Sequence, residues 1–168
     1  MNTKRGQIEI PIITFVILVV ALLIMAPFVL KIINSILTPF SSSVGNVTAQ
    51  AGTNVSFIKD TFVNFWDFVL LCAFLINVIL LLVSAFLVDT HPVFIIFYIL
   101  SGIFLFSFAP GINDVIDKIY NDPRFALEVS QLPIMDFIRQ YLGLILLGIF
   151  IISGIIMYAK IRGGSSNQ

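Results

Sequence analysis

The chain has 168 residues, 59% of them hydrophobic and only 11% charged, with a formal net charge of zero. Soluble domains run near half apolar and a quarter charged, and so short a chain has too much surface to bury the excess; lipid must therefore solvate much of it. The neutral balance excludes a basic face for nucleic acid. The single cysteine, Cys72, excludes an internal disulfide, a Cys-based zinc cluster and a CxxC redox pair.

Taken in order, the hydrophobic runs predict four transmembrane helices at about residues 10–30, 66–88, 93–109 and 141–161. The first is headed by Lys4-Arg5 and closed by Lys31, and it is long enough for a hydrocarbon core of about 30 Å, which takes roughly 20 residues. Pro11 suits its first turn, while Pro27 lies inside the run and predicts a kink whose freed carbonyl a neighbour must satisfy. The second run opens on a belt residue, Trp66, beside Asp67. Asp89-Thr90-His91-Pro92 predicts a capped tight turn, so the second and third helices form an antiparallel hairpin. Pro110-Gly111 predicts the end of the third.

The two longer connectors are more informative. Between residues 31 and 65 a polar background carries an apolar stripe of Leu30, Ile33, Leu37, Phe40, Val44, Val47, Ala51, Val55, Ile58, Phe62, Phe65 and Val69, always three or four residues apart. That is the helical period. Both flanking runs must return to one bilayer, so the stripe predicts two helical arms packed face to face, turning between Gly45 and Gly52. Residues 111–139 predict a short amphipathic helix, a break at Asn121-Asp122-Pro123, an Arg124–Glu128 pair, and a last helix opened by Pro133 with Asp136 and Arg139 paired at its entrance. The Gly/Ser-rich residues 163–168 predict a disordered tail. The fold expected is all-α: a four-helix transmembrane bundle, a single integral membrane domain, with a helical extramembrane hairpin cap at 31–65 and 111–139.

Four spans place both termini on one side of the cell membrane, and the cations at Lys4, Arg5, Lys160 and Arg162 favour the cytoplasmic side. Asn46-Val47-Thr48 and Asn54-Val55-Ser56 then make Asn46 and Asn54 candidate glycosylation acceptors outside.

Lys4-Arg5-Gly6-Gln7 resembles the cleavage site of archaeal type IV prepilins, which implies processing by a prepilin peptidase. The family usually carries a Glu five positions after the cut, where this chain has Pro11, with Glu9 two positions earlier. A pilin also has one hydrophobic helix, and three more spans follow here. The leader Arg-Gly-Gln-Ile-Glu-Ile-Pro, running into an Ile-rich helix, resembles small archaeal multi-pass membrane proteins.

Among candidate site residues, Asn77 is the strongly polar group nearest the middle of a span. It predicts a hydrogen bond across helices, with Ser84 and Ser101 in similar roles; a substrate or ion site is the alternative. No Asp, Glu, Lys, Arg or His sits at the centre of a span, which argues against proton-coupled transport. His91 with Asp89 reads as a capped turn before a metal pair or a general base. Trp66, Asp67, Asp136 and Arg139 predict anchors at the outer membrane boundary. No Walker loop, Gly-x-Ser-x-Gly or HExxH motif is present, so neither an enzyme nor a cofactor is expected. The partners expected are the lipid bilayer, other copies of the chain and other membrane proteins. The leading expectation is a non-enzymatic structural or assembly component of a membrane complex. The alternatives are a channel or transporter subunit lined by Asn77, Ser84, Ser101 and Ser107, and a pilin-like peptidase substrate.

Overall fold

The computed structural model describes residues 9–87 and 92–164. The Lys4–Gln7 leader, the Asp89–His91 turn and the end of the tail lie outside the described residues. What it describes is an all-α helical bundle of α1 (Glu9–Gly45), α2 (Ala49–Leu87), α3 (Pro92–Tyr120), a 3-10 turn (Pro123–Phe125), α4 (Ala126–Ser130), α5 (Pro133–Gln140) and α6 (Leu142–Gly164). Four helices are long and apolar enough to cross a membrane: Ile12–Gly45, Ala49–Leu87, Ile95–Tyr120 and Leu142–Lys160. The protein is thus a multi-pass helical membrane protein.

Helices α1 and α2 have 37 and 39 residues, which at 1.5 Å per residue is roughly 55 Å each. That is well beyond a hydrocarbon core of about 30 Å, so a long part of each is left for the helical arms that the apolar period predicts. The reversal falls at Asn46–Thr48, inside the predicted Gly45–Gly52 window. Val44 closes α1 by accepting from Val47 N and Thr48 N, and the Thr48 carbonyl opens α2 by accepting from Ala51 N and Gly52 N.

The third helix is longer than expected. It runs straight through Pro110-Gly111 to Tyr120 and absorbs the segment read as a separate amphipathic helix. A proline forfeits one backbone hydrogen bond, whereas ending a helix strands about four carbonyls. In apolar surroundings continuation is the cheaper outcome. Helix α1 passes through Pro27 and Pro39 in the same way. The last predicted helix is divided instead, Tyr141 separating α5 from α6, and α6 extends to Gly164 within the predicted tail.

The chain divides into two compact units. The first comprises Met1–Val20, Phe74–Val115 and Tyr141–Gln168, with a core of residues such as Phe15, Val19, Tyr98, Leu142 and Met157. The second comprises Ala21–Ala73 and Ile116–Gln140, where Leu23, Leu30, Ile116, Leu132 and Met135 are fully buried.

The seam between the two arms departs from the expected stripe. Ile33, Leu37, Val44, Ala51 and Val55 are half-buried as predicted, but Phe40, Ile58, Phe62 and Phe65 are exposed and Val47 sits in the turn at 83% exposure. Smaller and polar residues close the seam instead. Gly45 and Gly52 meet backbone to backbone: a Cβ on Gly52 would lie 2.7 Å from Gly45 Cα and 3.3 Å from the Ser41 carbonyl oxygen. Lower down, Lys59 Nζ donates to Thr38 Oγ1 at 3.0 Å, and Val63 is buried. Glycine contact brings the helix axes too close for a Phe at the same face, so the aromatics are turned out.

Candidate functional site

The richest concentration of polar contacts lies in the second unit, where α4, α5 and the end of α3 brace the arms. Its construction begins at Asn121-Asp122-Pro123. Asp122 accepts from Arg124 N at 2.9 Å and grips the Arg124 guanidinium through Nε and Nη2, so Pro123 starts a 3-10 turn. These bonds pull the Asp122 carboxyl down to about 2 and hold Arg124 above its ordinary value. The Arg124–Glu128 pair expected from i,i+4 spacing does not form. Asp122 is two residues away and already shaped to receive the fork, and Glu128 is turned inward and buried.

Helix α1 is tied to this turn by two side chains. Lys31 Nζ donates to the Arg124 carbonyl at 2.8 Å and lies 4.4 Å from the Phe125 ring centroid, while Phe125 meets Phe28 edge-on at 4.7 Å. Asn34, buried, donates from Nδ2 to Gln131 Oε1 at 3.1 Å.

Asp67 makes the longest reach. Its carboxylate is 4% exposed and accepts from Ile134 N at 2.8 Å and Met135 N at 3.1 Å. Those are free donors in the first turn of α5, because Pro133 opens the helix and no preceding turn supplies acceptors. A side chain of α2 thus caps a helix 67 residues further along. Asp67, read from the sequence as an anchor at the membrane boundary, faces a helix N-terminus, whose positive end favours a carboxylate. The Asp136–Arg139 pair is as expected, Nε lying 2.9 Å from Asp136 Oδ1. Arg139 also binds Asp117 from the end of α3. Burial disfavours the Arg139 charge, but the two carboxylates together outweigh it and raise its pKa.

Tyr120 was not singled out by any motif, yet it resolves the problem set by Pro27. Without an N–H on Pro27, the Leu23 carbonyl has no partner four residues on; Tyr120 Oη donates to that carbonyl at 3.1 Å, fully buried. Trp66 is half-buried, stacked on Phe62 at 5.9 Å, with Nε1 turned inward and buried. It is not placed like a belt residue that shows its N–H to the headgroups.

In the first unit the polar side chains are arranged differently. Ser84 was expected to bridge helices, but its hydroxyl donates to Leu80 of its own helix at 2.7 Å, and Ser107 likewise to Ile103. A serine in an apolar span always has its own i−4 carbonyl in reach, and this local bond needs no partner helix. Asn77 is half-buried. Ser101 lines an apolar recess of about 460 Å³ between α1 and α3, among Ile13, Val16, Phe104 and Phe108. A buried cross-helix polar contact is made by Tyr98, whose hydroxyl meets Ser153 and the Phe150 carbonyl while its ring stacks on Phe150 at 4.3 Å. Gly102 leaves the room for that ring: a Cβ there would overlap Phe150.

Asn46 lies in the exposed turn and Asn54 on an exposed face near the start of α2. Among the described residues no three His, Cys, Asp or Glu side chains come together as a metal site. Comparison with protein families, with curated proteins and with solved structures finds no match to this chain.

Proposed function

We propose that the protein is a non-enzymatic structural or assembly component of a membrane complex, with the arms of α1 and α2 as its docking module. The observation that carries this reading is the bracing of the second unit. Lys31, Asn34, Asp67, Tyr120 and Arg139 hold segments distant in sequence against one another. Polar groups committed in this way rigidify a scaffold, and rigid, preorganised surfaces favour association. Two of the four polar groups read as pore-lining, Ser84 and Ser107, are occupied by their own helix backbone, which weakens the channel alternative.

The test is native-gel or mass analysis of the full-length protein extracted gently from its own membrane. The expected result is a particle heavier than the monomer that collapses when residues 36–61 are replaced by a short flexible loop. A wild-type protein that runs as a monomer overturns the reading.

A further inference from the structure

The braced arms have two unlike faces, and only one of them is covered. Lys31, Asn34 and Asp67 turn toward the 3-10 turn, the end of α4 and the start of α5. Ile32, Ile36 and Phe40 lie about 120° round α1 from the seam, and Ile58, Phe62 and Phe65 about 120° round α2 in the same rotational sense, at 100° per residue. The helices are antiparallel, so equal rotations of the same sense bring both stripes to one side. That side is opposite the one braced by α4 and α5. All six side chains are 41–62% exposed. The register that sets Gly45 against Gly52 and Thr38 against Lys59 also sets Ile32 level with Phe65, Ile36 with Phe62 and Phe40 with Ile58. The result is three apolar rungs in a ladder.

Resting on the reading of the arms as a docking module, we propose that this face binds the same face of a second copy of the chain, joining two hairpins into a four-helix bundle outside the membrane. Three observations favour a second copy as the occupant. The six half-exposed side chains present on the order of 600 Å² of apolar surface, the upper end of what a monomer leaves bare and close to the roughly 800 Å² per partner of a stable interface. The face itself is uncharged: Lys59 is taken up in the seam, and Asp60 lies on the other side of its helix, so a self-contact meets no like-charge repulsion. Two copies in one bilayer share their orientation, so a two-fold axis along the membrane normal keeps every rung opposite its own equivalent, as an isologous interface requires. Bilayer lipid is a poorer occupant of the ladder than a second copy, because the other faces of the same helical turns expose Ser35, Asp60 and Asn64 as well as Phe57.

The test is site-directed disulfide trapping in native membranes, with Cys72 replaced by Ser. Ile36→Cys and Phe62→Cys are compared with Ser42→Cys and Asn64→Cys on the opposite side of the arms. The expected result is a covalent product of twice the monomer mass, at least about tenfold more abundant for the first pair, and a dimer dissociation constant raised by at least about tenfold in Phe62→Asp, the change expected for loss of one central aromatic. Equal trapping on both sides, or none, overturns the self-association. A product from the first pair containing a different protein also overturns it, but leaves the arms a docking module. No product from any position, with a monomer in the native gel, removes both readings.

Discussion

The two compact units use hydroxyls, carboxylates and cations in contrasting ways. In the first, Ser84 and Ser107 are folded back on their own helices, and one aromatic stack, Tyr98 on Phe150 with Ser153, joins α3 to α6. In the second, side chains reach across 21 to 97 residues of sequence to end on backbone, hydroxyl, amide or carboxylate oxygens. The difference follows from what lies within reach of each polar group. Lipid offers polar groups nothing, so a serine there takes the nearest carbonyl. A segment held against short, proline-interrupted helices has helix ends and freed carbonyls to satisfy, and long side chains from elsewhere do so.

The contrast can be broken most severely at Asp67. Asp67→Leu strands two buried N–H groups of α5 and is expected to destabilise the second unit by about 3 kcal/mol, the scale of losing hydrogen bonds to a charged acceptor together with a helix cap. Asp67→Asn retains an acceptor and should cost less. Thermal unfolding in detergent, followed by proteolysis between α3 and α6, measures both. A Leu variant as stable as the parent refutes the cap.

Tyr120→Phe comes next, at about 2 kcal/mol, since it leaves the Leu23 carbonyl buried and unpaired. The sharper form is a double-mutant cycle. Pro27→Ala restores a backbone donor four residues on, so in that background the same Tyr120→Phe change should cost less than half as much. Equal costs in both backgrounds would separate the tyrosine from the proline.

In the first unit Tyr98→Phe should cost only about 1 kcal/mol, within the range measured for interhelical hydrogen bonds in membranes, because the stack on Phe150 remains. A loss as large as that at Asp67 would erase the distinction between the units.

Acidification should act weakly through Asp122. Asp122, pulled down to about 2 by Arg124, gives a contribution that is complete above the ordinary carboxylate value of 3.8 and is lost as pH falls toward 2. The ion pair is exposed, so the loosening should be slight and should disappear in Asp122→Asn; chemical-shift titration of the Arg124 amide follows it. Smallest of all is Val47→Asp, which at 83% exposure in the turn should change stability by less than about 0.5 kcal/mol.

Much of this was legible from spacing. An unbroken 3.6-residue beat through polar sequence announced the paired arms, and the need to return to one bilayer located their turn to within a few residues. Asp136 and Arg139 were legible because local spacing on one helix fixes their approach. Asp67 was visible as a boundary residue but not as a cap, since its partners lie in α5 and only packing brings them together. Tyr120 had a faint signal: Pro27 demanded a donor, without saying from where.

The chain's own residues therefore determined its class, its helices and its hairpin, because lipid solvation and backbone hydrogen bonding act along the sequence. Which face of each arm closes the seam was decided by tertiary contact. Gly45 against Gly52 drew the backbones together and turned the aromatics that period alone had assigned to the interior out onto one side. Periodicity fixes that a face exists; close packing chooses between faces, since only small residues let two helix backbones touch.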